Sequence, residues 1–205
     1  IVNAIAATGT PLVRLSTGEE IDKQYTVETN DRESCAEMTR YLASLGHQRI
    51  AFITGHPSHK AIESRFLGYQ DGLRQSSLPF LEDLVAGGDN SSGSGEACAN
   101  ELLALAQPPT AIFAANDDMA AGVIRAANKL DIDVPGQLSV AGFDNISLGQ
   151  QIYPSLTTIH QPRAEMAERA ALALIGDPGN GSTLQGKDVV PARLVIREST
   201  GPAPR

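Results

Sequence analysis

No tryptophan occurs among the 205 residues, cysteine occurs twice, and 16 Lys and Arg stand against 24 Asp and Glu, for a formal net charge of −8. Each shortage removes a class of function. The acid excess, without clustered Lys and Arg, argues against a nucleic-acid or anionic-membrane surface on this chain, since both need basic patches. No apolar run approaches the roughly 20 residues of a membrane span, so no membrane partner is expected. Among the four His and two Cys no pair has zinc spacing, and Asp117-Asp118 alone is not a calcium loop, so no metal and no cofactor are expected. The chain also lacks the G-x-G-x-x-G, G-x-x-x-x-G-K-[ST] and G-x-S-x-G patterns. Gly93-Ser94-Gly95 at a helix start is a weak phosphate cradle at most. No catalytic residue is assigned, and no enzyme is indicated. Cys35 and Cys98 fall on apolar stripes of expected helices and read as buried free thiols, with a disulfide left open. The start Ile1-Val2-Asn3-Ala4 has neither initiator Met nor basic n-region, which argues against a signal peptide and against a natural terminus. A reducing cytoplasm fits.

With 41% hydrophobic residues the chain can bury a core, as one large domain or two small lobes. Four apolar runs each end in a small residue and a polar tip: residues 50–56 (IAFITGH), 84–90 (LVAGGDN), 111–117 (AIFAAND) and 138–145 (LSVAGFDN). Helical periodicity separates them. The order β-α-β-α-β-α-β means parallel strands covered by helices on both faces. Ligands bind outside the carboxyl ends of such strands, where these tips sit.

The helices have readable starts. Asn30 or Asp31 caps one carrying Cys35, Met38, Leu42 and Leu45, ended by Gly46. Residues 65–73 read as a second, with Phe66, Tyr69 and Leu73 facing inward. Residues 91–95 open a third over Cys98 and Leu102, and Asn116-Asp117-Asp118 cap a fourth. Residues 1–7 resemble a helix end, 12–15 a short strand, 17–24 a loop and 25–27 an edge strand. Past Asn145 come a strand at 156–159, a helix from Pro162 to Leu174, a loop at 176–182, a strand at 192–197 and a disordered tail at 201–205. The residues before Asn30 are too few for a lobe; a complete one needs on the order of 60 more residues, which suggests truncation.

Asp144 follows Gly142-Phe143 at a strand end, where a carboxylate can accept two ligand hydroxyls; the mundane alternative is a turn carboxylate. Asn116 is a second polar tip, with helix capping as its alternative, and Asp117 beside it could face ligand while Asn116 caps. Arg65, after the loop at 55–64, can clamp ligand oxygens in a fork or form a surface ion pair with Glu63 or Asp71. Truncating it is expected to leave the fold intact. His56 and His59 share that loop, and His59 is the better candidate by its proximity to Arg65.

Several stretches in order then carry a resemblance. They are Leu45-Gly46-His47-Gln48-Arg49-Ile50-Ala51-Phe52-Ile53-Thr54-Gly55, Ser64-Arg65-Phe66-Leu67-Gly68-Tyr69, and Pro109 through Ala120 around Asn116-Asp117-Asp118. After them come Leu138 through Asn145, Leu156-Thr157-Thr158-Ile159-His160-Gln161-Pro162 and Arg193 through Thr200. Together they resemble the effector-binding core of the lactose/galactose-repressor family of bacterial transcription regulators, from about Pro11 to Thr200. The resemblance implies a periplasmic-binding-protein-like α/β fold of two lobes joined by three crossovers, with the N-terminal lobe incomplete here. It divides the chain into residues 1–29 (partial N-terminal lobe), 30–158 (C-terminal lobe), 159–190 (return to the N-terminal lobe) and 191–205 (final strand and tail).

It also implies a small-molecule effector, a sugar or sugar derivative, in the interlobe cleft, a homodimer, and operator DNA bound through an absent N-terminal helix-turn-helix domain. Arg65 matches the family's effector-clamping arginine, Asn116 its strand-end amide or acid, and Asp144 its strand-end carboxylate. His59 lies on the loop of polar contacts. Ser16 stands where many relatives have aspartate, and Asn90 where many have a stacking aromatic ring; Arg163 takes a crossover position that is aromatic in some sugar-responsive members. The crossovers near Asn30, His160 and Arg197 are the expected hinges. The competing reading on the same fold is a periplasmic sugar-binding protein serving a transporter; a sugar- or nucleotide-modifying enzyme is a third.

Overall fold

The computed structural model describes residues 5, 8, 10–15, 25–175 and 186–204. Ser16, most of the expected N-terminal helix end, and the loops expected at 17–24 and 176–182 therefore lie outside the described residues. The elements run in chain order as β1 (Val13–Leu15), β2 (Tyr25–Thr29), α1 (Asp31–Ser44), β3 (Ile50–Thr54), α2 (Lys60–Gln75) and β4 (Val85–Gly87). Then come α3 (Ser92–Leu103), β5 (Ala111–Ala114), α4 (Asp117–Lys129), β6 (Ser139–Ala141) and the short α5 (Leu148–Gln151). Last are β7 (Thr158–His160), α6 (Arg163–Ile175), β8 (Gly186–Val190) and β9 (Arg193–Val195).

The chain divides into two units, Ile1–Asn30 with Pro162–Ala192, and Asp31–Gln161 with Arg193–Arg205. In the larger unit the four expected strands form a parallel sheet in the order β4-β3-β5-β6. Its inner strands are buried along nearly their whole length, which is why they read as continuous apolar runs rather than as alternation. Phe52 of β3 anchors the aromatic core, stacked on Tyr69 at 5.0 Å and edge-on to Phe113 at 5.2 Å. The Tyr69 hydroxyl donates to the Ile50 carbonyl at 2.8 Å, so its polar end is satisfied inside the core. β7 and β9 pair antiparallel, and Ala141 of β6 forms an isolated parallel bridge with Thr157, just before β7.

In the smaller unit β1, β2 and β8 form a parallel sheet in that order, over a cluster of Val27, Met166, Ala170 and Val190. The edge strand expected at 25–27 is thus the middle one of three. Its second neighbour, β8, was not anticipated because Lys187 and Asp188 interrupt the apolar pattern; they pair with Glu28 and Arg169 instead.

Other expectations shift for local reasons. The second helix begins at Lys60, not at residue 65, which places Arg65 in its second turn and shortens the preceding loop. The run at 84–90 narrows to β4 because Leu84 closes a short 3-10 turn. The tail at 201–204 is ordered: Ala203 N–H donates to the Leu45 carbonyl at 2.9 Å, and the Gly201 carbonyl lies 3.1 Å from His47 Nε2. His47 is buried and also meets Thr110 and Ser139, so it joins the starts of two strands to the tail.

Two helix pairs pack through backbone contact. A Cβ on Gly68 of α2 would fall 2.7 Å from Cys35 Cβ and closer still to the Arg32 carbonyl of α1; one on Gly122 of α4 would strike the Ser92 carbonyl of α3. Gly68→Ala and Gly122→Ala are therefore expected to lower stability by about 1–3 kcal/mol through overpacking. Gly93→Ala, whose added Cβ meets only Ser91 Oγ at 3.8 Å, is expected to be neutral or to gain up to about 1 kcal/mol. Urea denaturation of the three variants checks this, and an unchanged Gly68→Ala protein would disprove the close approach.

Candidate functional site at the carboxyl edge of the larger sheet

Each strand of the larger sheet is followed closely by a polar residue, and several of these residues are hydrogen-bonded to one another. Asn90, after β4, sits at φ +75°, a left-handed conformation that Asn tolerates better than most side chains. Its Oδ1 accepts the His56 N–H at 3.2 Å and its carbonyl accepts Asn116 Nδ2 at 2.9 Å. Asn116 Oδ1 in turn accepts the Met119 N–H at 2.9 Å, capping α4. Both ends of the Asn116 amide are thus engaged, one in the cap and one in the bridge to Asn90.

Arg65 lies almost wholly inside, with its side chain 8% exposed. Nε donates to Asp31 Oδ2 at 2.9 Å, and Nη1 donates to the Ala115 carbonyl at 2.6 Å. The guanidinium carbon stands 3.6 Å from the Phe143 ring centroid. Nη2 faces Asp144 Oδ1 at 3.7 Å. The surface ion pair entertained from sequence is overturned: Asp71 pairs with Arg32 and Arg74, while Arg65 pairs with the buried Asp31. The expectation that Arg65 can be truncated without harm to the fold falls with it. Removing the guanidinium takes away the cation that the buried Asp31 carboxylate, 1% exposed, meets at 2.9 Å, and breaking one side of a buried pair typically costs about 3–5 kcal/mol.

Asp144 follows β6 at φ +118°, with its backbone N–H donating to the Ile159 carbonyl at 2.9 Å and its side chain 21% exposed. Asn145, also left-handed at φ +56°, reaches both antiparallel strands' segments. Its Nδ2 is 3.0 Å from His160 Nδ1, and its Oδ1 accepts Arg197 Nη2 at 2.6 Å. Arg197 Nη1 donates onward to the Leu156 carbonyl at 2.6 Å. The loop that carries Asp144 is therefore stapled to β7 and to the segment after β9.

Asp117 does not face ligand. It is fully buried, accepting the Thr158 hydroxyl at 2.5 Å and the Ile146 N–H at 2.8 Å. Burial pushes its carboxyl from the ordinary 3.8 up to about 6; the Asp144 charge adds to the rise, while the two hydrogen bonds and Arg197 oppose it. His59 occupies the N-cap position of α2, exposed, without a capping side-chain bond, its ring 6.0 Å from that of His56. The structure thus brings Arg65 to Asp144 and Asn90 to Asn116, and leaves His59 at the rim. The bonding roles of Asp31, read only as a possible cap, of Arg197, read only as a crossover position, and of Asn145 were missed. These roles depend on partners 15 to 52 positions away in the chain, and no local pattern marks that.

Cys35 and Cys98 are free and buried, and burial raises both thiols, which settles the disulfide alternative. At the start of α3 Ser91 caps the Ser94 N–H, and hydrogen bonds from Ser91 and Ser94 hold the neighbouring Asp89 carboxyl down at about 2. A carboxylate at that end makes a poor phosphate cradle. Among the described residues no group of three His, Cys, Asp or Glu could hold a metal, and no helix is long and apolar enough to cross a membrane.

The Asp117 carboxyl holds its proton more tightly folded than unfolded, so the protein loses stability as pH rises from about 4 through about 6, by at most about 3 kcal/mol. Asp117→Asn keeps an oxygen for the Ile146 N–H and offers N–H to the Thr158 hydroxyl, without the charge. Its stability relative to the parent is expected to climb across that window and then level. His47, lowered by burial, titrates in both proteins and cancels. Urea melts at several pH values measure it; a difference independent of pH would refute the raised carboxyl.

Comparison with known proteins places this arrangement. Residues 39–200 match the model of the periplasmic binding protein-like domain. The HTH-type transcriptional repressor CytR of Escherichia coli (strain K12) is 35% identical over 179 residues, 87% of this chain and 52% of that protein. A LacI family transcriptional regulator from Enterococcus faecium with bound ribose superposes with a TM-score of 0.87 at 28% identity, over 98% of this chain and 74% of that one. The transcriptional regulator CelR in complex with cellobiose does so with a TM-score of 0.84 at 27% identity, over 95% of this chain and 60% of that one. The chain spans about half the length of the curated relatives it matches. It belongs to the periplasmic-binding-protein-like domain family, as the core shared by regulators of the lactose/galactose-repressor type.

Proposed function

We propose that this chain is the effector-sensing core of a cytoplasmic transcriptional repressor and that its ligand is a small polyhydroxylated molecule of the carbohydrate class. The observation that carries the reading is the Arg65–Asp144 pair at the carboxyl end of a parallel sheet. A partly exposed carboxylate accepts two vicinal hydroxyls, and the guanidinium edge beside it donates to their oxygens. Asn90, Asn116 and His59 line the same edge and supply further polar contacts; Ser16 is assigned only by its place in the family pattern. The ribose and cellobiose complexes of similar proteins support the ligand class. That the relatives are regulators favours this reading over a transporter's sugar carrier and over an enzyme.

In this reading operator DNA is bound by a helix-turn-helix domain outside the chain, in a homodimer. Ligand acts by favouring one conformation over another, and a coupling of about 1–3 kcal/mol suffices. Asn145 offers the route, since it adjoins Asp144 and bonds to His160 and Arg197 on the crossover segments. Asn30, which accepts the Ala192 N–H at 2.8 Å, marks the third crossover.

Thermal-shift screening and calorimetry with ribose, cellobiose and nucleosides test the proposal. One neutral polyol is expected to give saturable stabilisation, and Asp144→Asn to weaken its binding at least roughly tenfold with little change in unfolding temperature. Unchanged affinity in Asp144→Asn, or no response to any member of the panel, would sink it.

A further inference from the structure

Two consecutive residues of the loop after β6 hold left-handed backbone, Asp144 at φ +118° and Asn145 at φ +56°. Neither is glycine, and such a geometry persists only where the surroundings impose it. Three successive N–H groups show what does so. Asp144 N–H donates to the Ile159 carbonyl at 2.9 Å, Asn145 N–H to the Thr158 hydroxyl oxygen at 3.4 Å, and Ile146 N–H to Asp117 Oδ2 at 2.8 Å. The Thr158 hydroxyl in turn donates to Asp117 Oδ1 at 2.5 Å. One buried carboxylate thus answers two of the three N–H groups, one directly and one through Thr158. We propose that Asp117 is a positioning residue, which imposes the turn at Asp144–Asn145 through the Ile146 N–H and the Thr158 hydroxyl and so aims the Asp144 carboxylate at its ligand. This rests on the assignment of Asp144 to the ligand site.

The packing around Asp117 fits that role. It is fully buried as the first residue of α4, beside the cap Asn116. Gly142 leaves room for it, since a Cβ there would stand 2.4 Å from Asp117 Oδ1. The carboxylate is therefore in contact with the strand end from which the turn springs. Burial pushes the carboxyl up to about 6 and no further, so it is ionised at neutral pH and both of its hydrogen bonds are charge-assisted. The other charges acting on it are those of Asp144 and Arg197. Asp117 works through the backbone that carries Asp144, so it need not touch the ligand.

The first arm of the test needs no ligand. Amide hydrogen exchange is followed by NMR in the parent chain, Asp117→Ala, Thr158→Val and Thr158→Ser, with the amides of β3 and β5 reporting global opening. Relative to those strands, the Asn145 and Ile146 amides are expected to exchange at least roughly tenfold faster in Asp117→Ala. Thr158→Val is expected to speed the Asn145 amide in the same sense, and Thr158→Ser, which restores the hydroxyl, to recover it. Equal acceleration of the loop and of β3 and β5 would mean a merely structural role and overturn the proposal. So would a Thr158→Val loop that exchanges like that of Thr158→Ser. Should Asp117→Ala not fold, the Thr158 pair decides.

The second arm measures ribose and cellobiose binding by calorimetry, at a temperature where circular dichroism shows each variant folded. Asp117→Ala is expected to weaken binding at least roughly tenfold. Placed in an Asp144→Asn background the same substitution is expected to have little further effect, because Asp117 acts through Asp144. Parental affinity in Asp117→Ala, or an equal loss in both backgrounds, would overturn the aiming of Asp144. If the parent chain binds neither sugar, the carbohydrate reading fails, and the exchange measurement still decides whether Asp117 holds the turn.

Discussion

A guanidinium buried in a protein interior has to be met by charge and hydrogen bonds on every side, or the desolvation of a full positive charge would expel it. Arg65 meets that requirement through three different segments of the larger unit. Asp31 comes from the start of α1, the Ala115 carbonyl from the end of β5, and the Phe143 face and the Asp144 carboxylate from the loop after β6. The residue emerges from the second turn of α2, so one side chain ties two helices to two strand ends. The rest of the edge is arranged around this constraint. The close glycine contact of α2 with α1 brings Arg65 and Asp31 within bonding distance, and the left-handed backbone at Asp144 turns its carboxylate back toward the guanidinium.

A second layer of polar bonds lies behind the edge. Asp117 binds the Ile146 N–H and the Thr158 hydroxyl, and Asn145 binds His160 and Arg197. The loop that carries the candidate ligand carboxylate is therefore not free to move by itself. It is locked to the segments through which the chain passes between its two units. The carboxyl of Asp117 in this layer is raised because burial there outweighs two good hydrogen bonds.

Legibility differed sharply between fold and site. The parallel sheet was readable because buried strands and amphipathic helices write themselves in local apolar periodicity, and all four strands of the larger sheet fall within the runs identified. Strand β8 was not, because a strand edged with Lys and Asp looks like a loop until its ion-pairing partners are known. At the site, Arg65, Asn116 and Asp144 stood out as polar tips or as members of a family pattern. What they bond to did not. The capping alternative weighed for Asn116 holds, whereas Asp117, read as able to face ligand, points inward.

From composition and order alone the chain determined its class: a doubly wound α/β core with polar groups beyond the carboxyl ends of its strands. Those properties follow from periodicity and residue chemistry, which are local. Only the tertiary structure decided which charge answers which. That Arg65 is held by Asp31 and faces Asp144, and that Asn145 staples the site to His160 and Arg197, depends on residues brought together across tens of positions by helix and strand packing. Electrostatic energy falls with distance in space and is indifferent to distance along the chain, so the balance of charge at the site belongs to the folded molecule.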